Sequence, residues 1–260
     1  MSQILEFEES ELCQKAQNLA RKWGFAPTER LPSGHCSHVF ADATRVLKVP
    51  FQGEEMTSGL QASLFLSGNS GPQVLASDKA TGIQLMQRIT PGIPLSQSQF
   101  TDEQNQDIAM NLAAQFTLNW RQGMIPLRQY FQRESELAEK LFATTKQNVF
   151  LHGDLHHFNI LKHTDRWLTI DAKGLFGDPA YEAVAYLRNP IPEVANWPNL
   201  DQILHHRITR WAERFQLNPW RIWAWAIVDL DDENRDDSDP WTTVLQALKA
   251  LSFPAPEALS

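Results

Sequence analysis

The chain has 260 residues, 42% of them hydrophobic and 21% charged, with 12 Gly and 15 Pro; this is the profile of a folded protein of one or two domains at about 150 residues each, and it excludes collagens, linker arrays and disordered tails. The net charge of −8, from 23 Lys and Arg against 31 Asp and Glu, disfavours adhesion to nucleic acid or to anionic lipid. No run approaches the roughly 18 to 20 apolar residues that cross a bilayer, and the opening MSQILEFEESEL carries acids where a signal peptide carries Lys or Arg. The only cysteines, Cys13 and Cys36, are too few for a disulfide framework or a thiolate zinc site. A cytoplasmic protein with no nucleic-acid or membrane partner is expected.

In chain order, residues 6–22 read as a helix, and between Phe25 and Pro50 the β-type runs HVFAD and TRVLKVP suggest hairpins. Helical spacing returns over 53–66, VLASD and GIQLMQRI read as two further strands, and PGIP at 91–94 breaks the pattern. We place a boundary there, between an N-terminal lobe over 1–90 and a C-terminal lobe over 91–260. Thr101 with Gln104 forms a capping box for a helix over 102–121 that sets Ile108, Leu112 and Phe116 on one face. Further helices are expected over 127–145 and 200–217, the latter with Leu204, Ile208, Trp211 and Phe215 on one stripe. Asn218-Pro219 opens a last one, PWRIWAWAIVDL, apolar nearly all round and therefore buried. Residues 229–239 then hold seven acids and one Arg, −6 of the net −8.

The segment FLHGDLHHFNILKHTDRWLTIDAKGLFGDPAYE begins at Phe150 and carries the chemistry. NILK and WLTI form a hairpin, and a turn over 163–166 pairs Lys162 with Trp167 and brings Asn159 beside Asp171. Asp154 lies in the loop that enters the hairpin, five residues before Asn159. Carboxylate, amide oxygen and carboxylate make a donor set suited to Mg²⁺. H-x-D-x-x-x-x-N followed by a later Asp is the order used for phosphoryl transfer in kinase-type folds, in which the first Asp receives the hydroxyl proton and the Asn and second Asp hold metal. Here the order is His152, Asp154, Asn159 and Asp171.

HGDLHHFNIL and IDAKGLFGDPAYE resemble the aminoglycoside phosphotransferase family, and within it the streptomycin-type branch of aminoglycoside/hydroxyurea resistance kinases. The resemblance implies an α+β, two-lobed protein-kinase-like fold, with a small mixed N-lobe built on an antiparallel sheet and a larger, mainly helical C-lobe. It implies Asp154 as catalytic base, Asn159 and Asp171 as metal ligands, His152 as a support for the loop, and ATP with Mg²⁺ as cofactors. Asp178 before Pro179 reads as a structural helix cap, and His156, His157 and His163 read as solvated loop residues.

The chain has neither G-x-x-x-x-G-K-[ST] nor G-x-G-x-x-G. In their place LPSGHCSHVF sets Ser33, Gly34 and Ser37 at a hairpin tip with RVLKVP as the returning strand, where backbone N–H groups and Lys48 could meet phosphate. Glu54 and Glu55 are candidate partners for Lys48, although alignment with the family shifts that position towards Leu60 or Gln61. LMQRITPG resembles the hinge, with backbone groups from Met86 to Arg88 against adenine.

The expected function is ATP-dependent O-phosphotransfer to a hydroxylated small molecule. Two alternatives remain. One is a metallohydrolase built on the His/Asp cluster with His205 or His206; the other is a non-catalytic kinase-like scaffold. Carboxylates beside Trp223 and Trp225 would suit a polycationic sugar, so a cationic acceptor held by Asp229, Asp231 and Asp232 is expected.

Overall fold

The computed structural model describes residues 5–7, 10–32, 36–51, 53, 55–116, 123–132, 135–231 and 238–255. In chain order the elements are α1 (Ser10–Lys22), β1 (Glu29–Leu31), β2 (Ser37–Ala41), β3 (Arg45–Pro50), α2 (Glu55–Leu66), β4 (Val74–Ser77), β5 (Gln84–Gln87) and β6 (Pro91–Pro94). They continue with α3 (Asp102–Ala113), β7 (Ile125–Pro126), α4 (Leu127–Tyr130), α5 (Glu136–Ala143), β8 (Val149–Leu151), β9 (Ile160–His163), β10 (Arg166–Thr169) and β11 (Leu175–Gly177). α6 (Val184–Leu187), α7 (Leu200–Phe215), α8 (Pro219–Leu230) and α9 (Pro240–Lys249) complete the chain. Two compact units result, Met1–Ile93 with Leu161–Gly174, and Pro94–Ile160 with Leu175–Ser260. None of the described helices is long and apolar enough to cross a membrane.

The first unit is organised by an antiparallel sheet in the order β1-β2-β3-β5-β4. Strand alternation sends Phe40, Leu47, Val49 and Leu85 to one face. They pack with Leu12, Ala16 and Ala20 of α1, which recur every fourth residue and so share one helix face. Each large side chain buried in this way contributes about 1.5–3 kcal/mol. Asp42 makes the β2–β3 turn by accepting from the amides of Thr44 at 2.8 Å and Arg45 at 2.6 Å. This corrects one expectation: the strand returning from the small-residue loop is β2, and RVLKVP is the strand after it.

The hairpin β9–β10 belongs to this unit rather than to the second, where the sequence reading counted it. Thr169 donates its amide to the Ser70 carbonyl at 2.7 Å, and Gly174 passes so close to α2 that a Cβ there would meet the Ser58 carbonyl oxygen at 2.2 Å. The turn is tighter than expected. β9 ends at His163 and β10 starts at Arg166, and Thr164 takes the positive φ of 52° that a two-residue turn requires. Lys162 still faces Trp167, its Nζ 5.2 Å from the ring centroid. PGIP is not a break but β6, an edge strand in the order β10-β9-β6, where proline costs no ladder bond.

In the second unit α3 has the expected capping box. It ends at Ala113, short of the expected 121, and residues 117–122 lie outside the described ones. The helix expected over 127–145 is instead α4 and α5, with Ser135 capping α5 by accepting from the Ala138 amide. A small sheet, β7-β11-β8, carries the segment that follows it. α8 is buried along most of its length, as its composition requires, and packs on α5, α7 and α9; α9, beyond the acidic run, was not anticipated.

Asp178 joins these elements. It caps the short 3-10 turn Pro179–Ala183 by accepting from the Ala180 amide at 3.0 Å. The same carboxylate accepts from Trp225 Nε1 at 2.9 Å and forms an ion pair with Arg221. Were Asp178 only a cap, Asp178→Ala would cost about 1 kcal/mol. Because the substitution also strands the Arg221 guanidinium, urea unfolding is expected to show a loss of about 3–5 kcal/mol.

Candidate active site

β8 delivers the chain at Leu151 into the loop His152–Asn159 of the second unit. His152 is fully buried, its ring near-parallel to Phe116 with centroids 6.2 Å apart, and its Nδ1 accepts from the Asp154 amide at 3.3 Å. It supports the loop, as the resemblance implies. Asn159 turns its amide nitrogen back to Asp154, donating to the backbone carbonyl at 2.9 Å and to Oδ2 at 3.2 Å. That orientation leaves its amide oxygen available as a ligand atom. On the other carboxylate oxygen, Oδ1, His156 Nε2 and Arg188 Nη2 each stand at 3.5 Å. Asp154 is therefore oriented from both sides while staying about a quarter exposed, with 23% of its side chain reached by solvent.

Arg188 was not singled out from the sequence. Its Nε lies 3.3 Å from Asp229 Oδ2, and Asp229 Oδ1 accepts from the Tyr181 hydroxyl at 2.7 Å. Burial opposes the charge of Arg188, but Asp229 and then Asp154 outweigh it and push its pKa up. Asp229 is consequently a partly buried carboxylate, 14% exposed, that supports the loop through Arg188. Asp231 is exposed and pairs with Lys249 at 2.8 Å, and Asp232 lies outside the described residues.

Glu182, also overlooked, sits beneath the same loop. Its Oε2 takes the Gly153 amide at 3.4 Å, and Oε1 has no hydrogen-bond partner among the described residues. Burial pushes its carboxyl up to about 8; the amides of Gly153 and His152 oppose the shift and the charge of Asp154 adds to it. The histidines depart from expectation too. His156 touches Asp154 and Asn159, His157 is 1% exposed, and His163 is a β9 residue whose Nδ1 accepts from the Thr90 amide.

In the first unit Lys48 Nζ donates to Asp171 Oδ1 at 2.5 Å. β3 places Lys48 opposite Val39 and Gln84. Asp171, just past β10, adopts a left-handed φ of 60°, a conformation costing a non-glycine residue about 1–3 kcal/mol that is found where function fixes the backbone. Together with Met86 these residues border a cavity of about 30 Å³, room for about one water. The helix acid does not go to Lys48. Glu55 pairs with Lys173 at 3.0 Å, Leu60 is buried in the core, and Glu54 is outside the described residues. Arg88 is spent elsewhere: its guanidinium holds Glu29 and the Asp42 carbonyl, and its amide donates to Thr44, as the Gln87 amide does to Gln73. Ser37 is buried at the start of β2, while Ser33 and Gly34 lie outside the described residues.

Residues 126–229 match the family model described as aminoglycoside/hydroxyurea antibiotic resistance kinase. A streptomycin 3''-kinase of Klebsiella pneumoniae is 28% identical over 193 residues, covering 65% of this chain and 71% of that protein. Among solved structures, the aminoglycoside phosphotransferase APH(2")-IIa, in a ternary complex with streptomycin and ATP, superposes with a TM-score of 0.55 at 13% identity, over 86% of this chain and 88% of its own. The choline kinase LicA from Streptococcus pneumoniae gives a TM-score of 0.56 at 10% identity, over 92% of this chain and 100% of its own. The structural matches show the protein-kinase-like fold. The sequence matches identify a small-molecule kinase that resembles the aminoglycoside phosphotransferases.

The state of Glu182 sets a pH dependence. Burial pushes its carboxyl from 4.5 up to about 8 on folding, so the folded chain holds the proton more tightly. The stabilisation is complete below 4.5 and is lost as pH rises to about 8, by up to about 1.4 kcal/mol per unit. Thermal unfolding across that window should show the decline in the parent protein and a flatter profile in Glu182→Gln, which keeps an acceptor for the Gly153 amide.

Proposed function

We propose that the chain transfers the terminal phosphoryl group of ATP to a hydroxyl of a cationic small molecule of the aminoglycoside class. The observation that carries this reading is the setting of Asp154, whose carboxylate is fixed by Asn159 on one oxygen and by His156 and Arg188 on the other. A carboxylate held in this way, yet reached by solvent, can accept the proton of an acceptor hydroxyl as that oxygen bonds to phosphorus. The bond from the terminal phosphorus to the bridging oxygen breaks, and ADP leaves with the electron pair.

Lys48 would neutralise phosphate charge, and Met86 would contribute its side chain beside it. Arg88, with its N–H groups committed to the protein, is left out of this reading. Mg²⁺ fits the oxygens offered: the amide oxygen of Asn159, freed by the turn of its nitrogen to Asp154, and the carboxylate of Asp171. Assigning both to the same ion rests on the order H-x-D-x-x-x-x-N…D in the sequence. When bound, the ion would screen the charge that develops on the transferring phosphoryl group.

The metallohydrolase alternative is disfavoured by where the histidines go. His156 serves Asp154, His157 stacks on Tyr186, His205 stacks on Phe253, and His206 pairs with Glu103. The class of acceptor is taken from the streptomycin 3''-kinase relative and agrees with the net charge of −8.

Asp154→Asn is expected to lower turnover by about 10²–10⁴ and to leave ATP binding intact; phosphotransfer at the parent rate would remove Asp154 as base. Asp171→Ala should lose Mg²⁺-dependent nucleotide affinity in calorimetry, and unchanged MgATP binding would defeat the metal assignment.

A split within the acidic segment tests its revised role. Asp229→Asn should depress kcat, because it leaves Arg188 uncompensated beside Asp154. Asp231→Asn, which breaks an exposed pair with Lys249 worth about 0–1 kcal/mol, should leave kcat unchanged. A fall in kcat of equal size in both variants would contradict the positioning role of Asp229.

A further inference from the structure

The unit that carries Asp154 has a second cleft of about 380 Å³, within the range of about 300–1,000 Å³ usual for small-ligand sites. Ser96, Ser98, Phe100, Asn105, His157 and Trp197 line it. His157 is the unusual member. It is 1% exposed and stacked on Tyr186 with ring centroids 4.4 Å apart, and neither ring nitrogen has a hydrogen-bond partner among the described residues. A buried imidazole without partners is costly, and such groups are normally satisfied by something bound.

Its chemistry says what that is. A neutral imidazole offers one N–H and one lone pair, the complement of a hydroxyl group, which is itself a donor and an acceptor. The Ser98 hydroxyl donates to Asn105 Oδ1 at 2.7 Å, leaving the Asn105 amide nitrogen without a partner among the described residues. Phe100, 47% exposed, and Trp197 supply apolar ring faces. Asp102 is the one charged residue described in the lining. Arg207 occupies both of its oxygens, Nη2 at 2.6 Å from Oδ1 and Nε at 3.0 Å from Oδ2. The cleft therefore has hydrogen bonds and aromatic faces to offer but no uncompensated charge.

We propose that this cleft binds an uncharged polyhydroxylated ring, a sugar or a cyclitol, with His157 bonding a ring hydroxyl and Trp197 or Phe100 covering the apolar face. His157 lies three residues after Asp154, and its carbonyl accepts the Ser96 amide at 3.1 Å, so one wall of the cleft is tied to the loop that carries the proposed base. The ring could belong to the phosphoryl acceptor or to a separate molecule. The site itself does not depend on the phosphotransfer reading.

The test needs no turnover. The full chain, labelled with ¹⁵N-histidine, is titrated with myo-inositol and with D-glucose at saturating millimolar concentration, and the His157 ring resonances are followed by NMR. At least one of the two should shift them. His157→Phe, which keeps the ring and its packing, should weaken that binding by about tenfold or more without lowering the unfolding temperature. Should that variant fail to fold, Ser98→Ala and Trp197→Leu carry the same expectation. Resonances that respond to neither compound, with the nitrogens satisfied by water alone, would overturn the proposal, as would binding unaffected by these substitutions. Repeating the titration with a phosphoryl acceptor separates the sources. Mutual competition assigns the cleft to the acceptor's own ring, undisturbed binding assigns it to a second molecule, and either result upholds the site.

Discussion

Burial disfavours the charge of Arg188, and Asp229 and then Asp154, which flank it, outweigh that penalty. This compensation is what the geometry around the proposed base depends on. Asp229 is anchored first: it ends the buried helix α8 and takes the Tyr181 hydroxyl as well as Arg188. Arg188 is in turn held over the Trp241 ring, 5.2 Å from its centroid. Only then does its Nη2 reach Asp154, at 3.5 Å, long enough to orient the carboxylate without consuming it. The chain acid–guanidinium–acid thus transfers the rigidity of α8 to a side chain on a loop. Removing an outer member leaves a buried charge unpaired, which costs far more than the bond itself is worth.

The same loop is held from below by a group that avoids charge. Glu182 could not be ionised in its fully enclosed position without a counter-ion, and burial solves this by keeping the proton on it. As a neutral acid it still presents a carbonyl oxygen to the Gly153 amide. Gly153 has a φ of 77°, a conformation that favours glycine, and it turns the chain between the buried ring of His152 and Asp154. One carboxyl kept neutral and another kept as half of an ion pair meet the loop from different directions: Glu182 takes no cation, and Asp229 uses Nε of Arg188 where Asp154 uses Nη2.

Legibility in the sequence followed the range of the interactions. The capping box of α3, the Asn218-Pro219 start of α8 and the order His152, Asp154, Asn159 are written in spacings of a few residues, and the fold realises each of them within one element or loop. Arg188, Asp229 and Glu182 act through contacts that join residues 29 to 48 positions apart, and no local pattern marks them. Asp229 was visible as an acid and was grouped with Asp231 and Asp232 as holding a cationic acceptor, because a run of carboxylates does not say which one folds inward. His157 was misread for the same reason, since its polarity argued for solvent while its position under Tyr186 was a tertiary fact. The helix expected over 127–145 fails where Phe131 takes φ −87° and ψ 89°, outside the helical region, a break that its apolar spacing does not announce.

In the first unit two ion pairs bracket the segment that follows β10. Lys48 and Asp171 neutralise each other across strands, and Lys173 does the same for Glu55 at the first turn of α2, where an acid also suits the helix dipole. The two pairs differ in what they hold. Glu55 and Lys173 tie a helix start to the segment after Asp171, and Asp171 is 45% exposed where Glu55 is 39% exposed, so solvent weakens both pairs and each contributes little to stability. On the proposed reading, a polyphosphate at Lys48 would compete with the Asp171 carboxylate, which stands on a backbone of left-handed φ 60°. The pair keeps a cation and an anion together at almost no net charge, and in that reading ligands of opposite sign would separate them, a preorganisation suited to phosphoryl transfer at a site that does little covalent chemistry of its own.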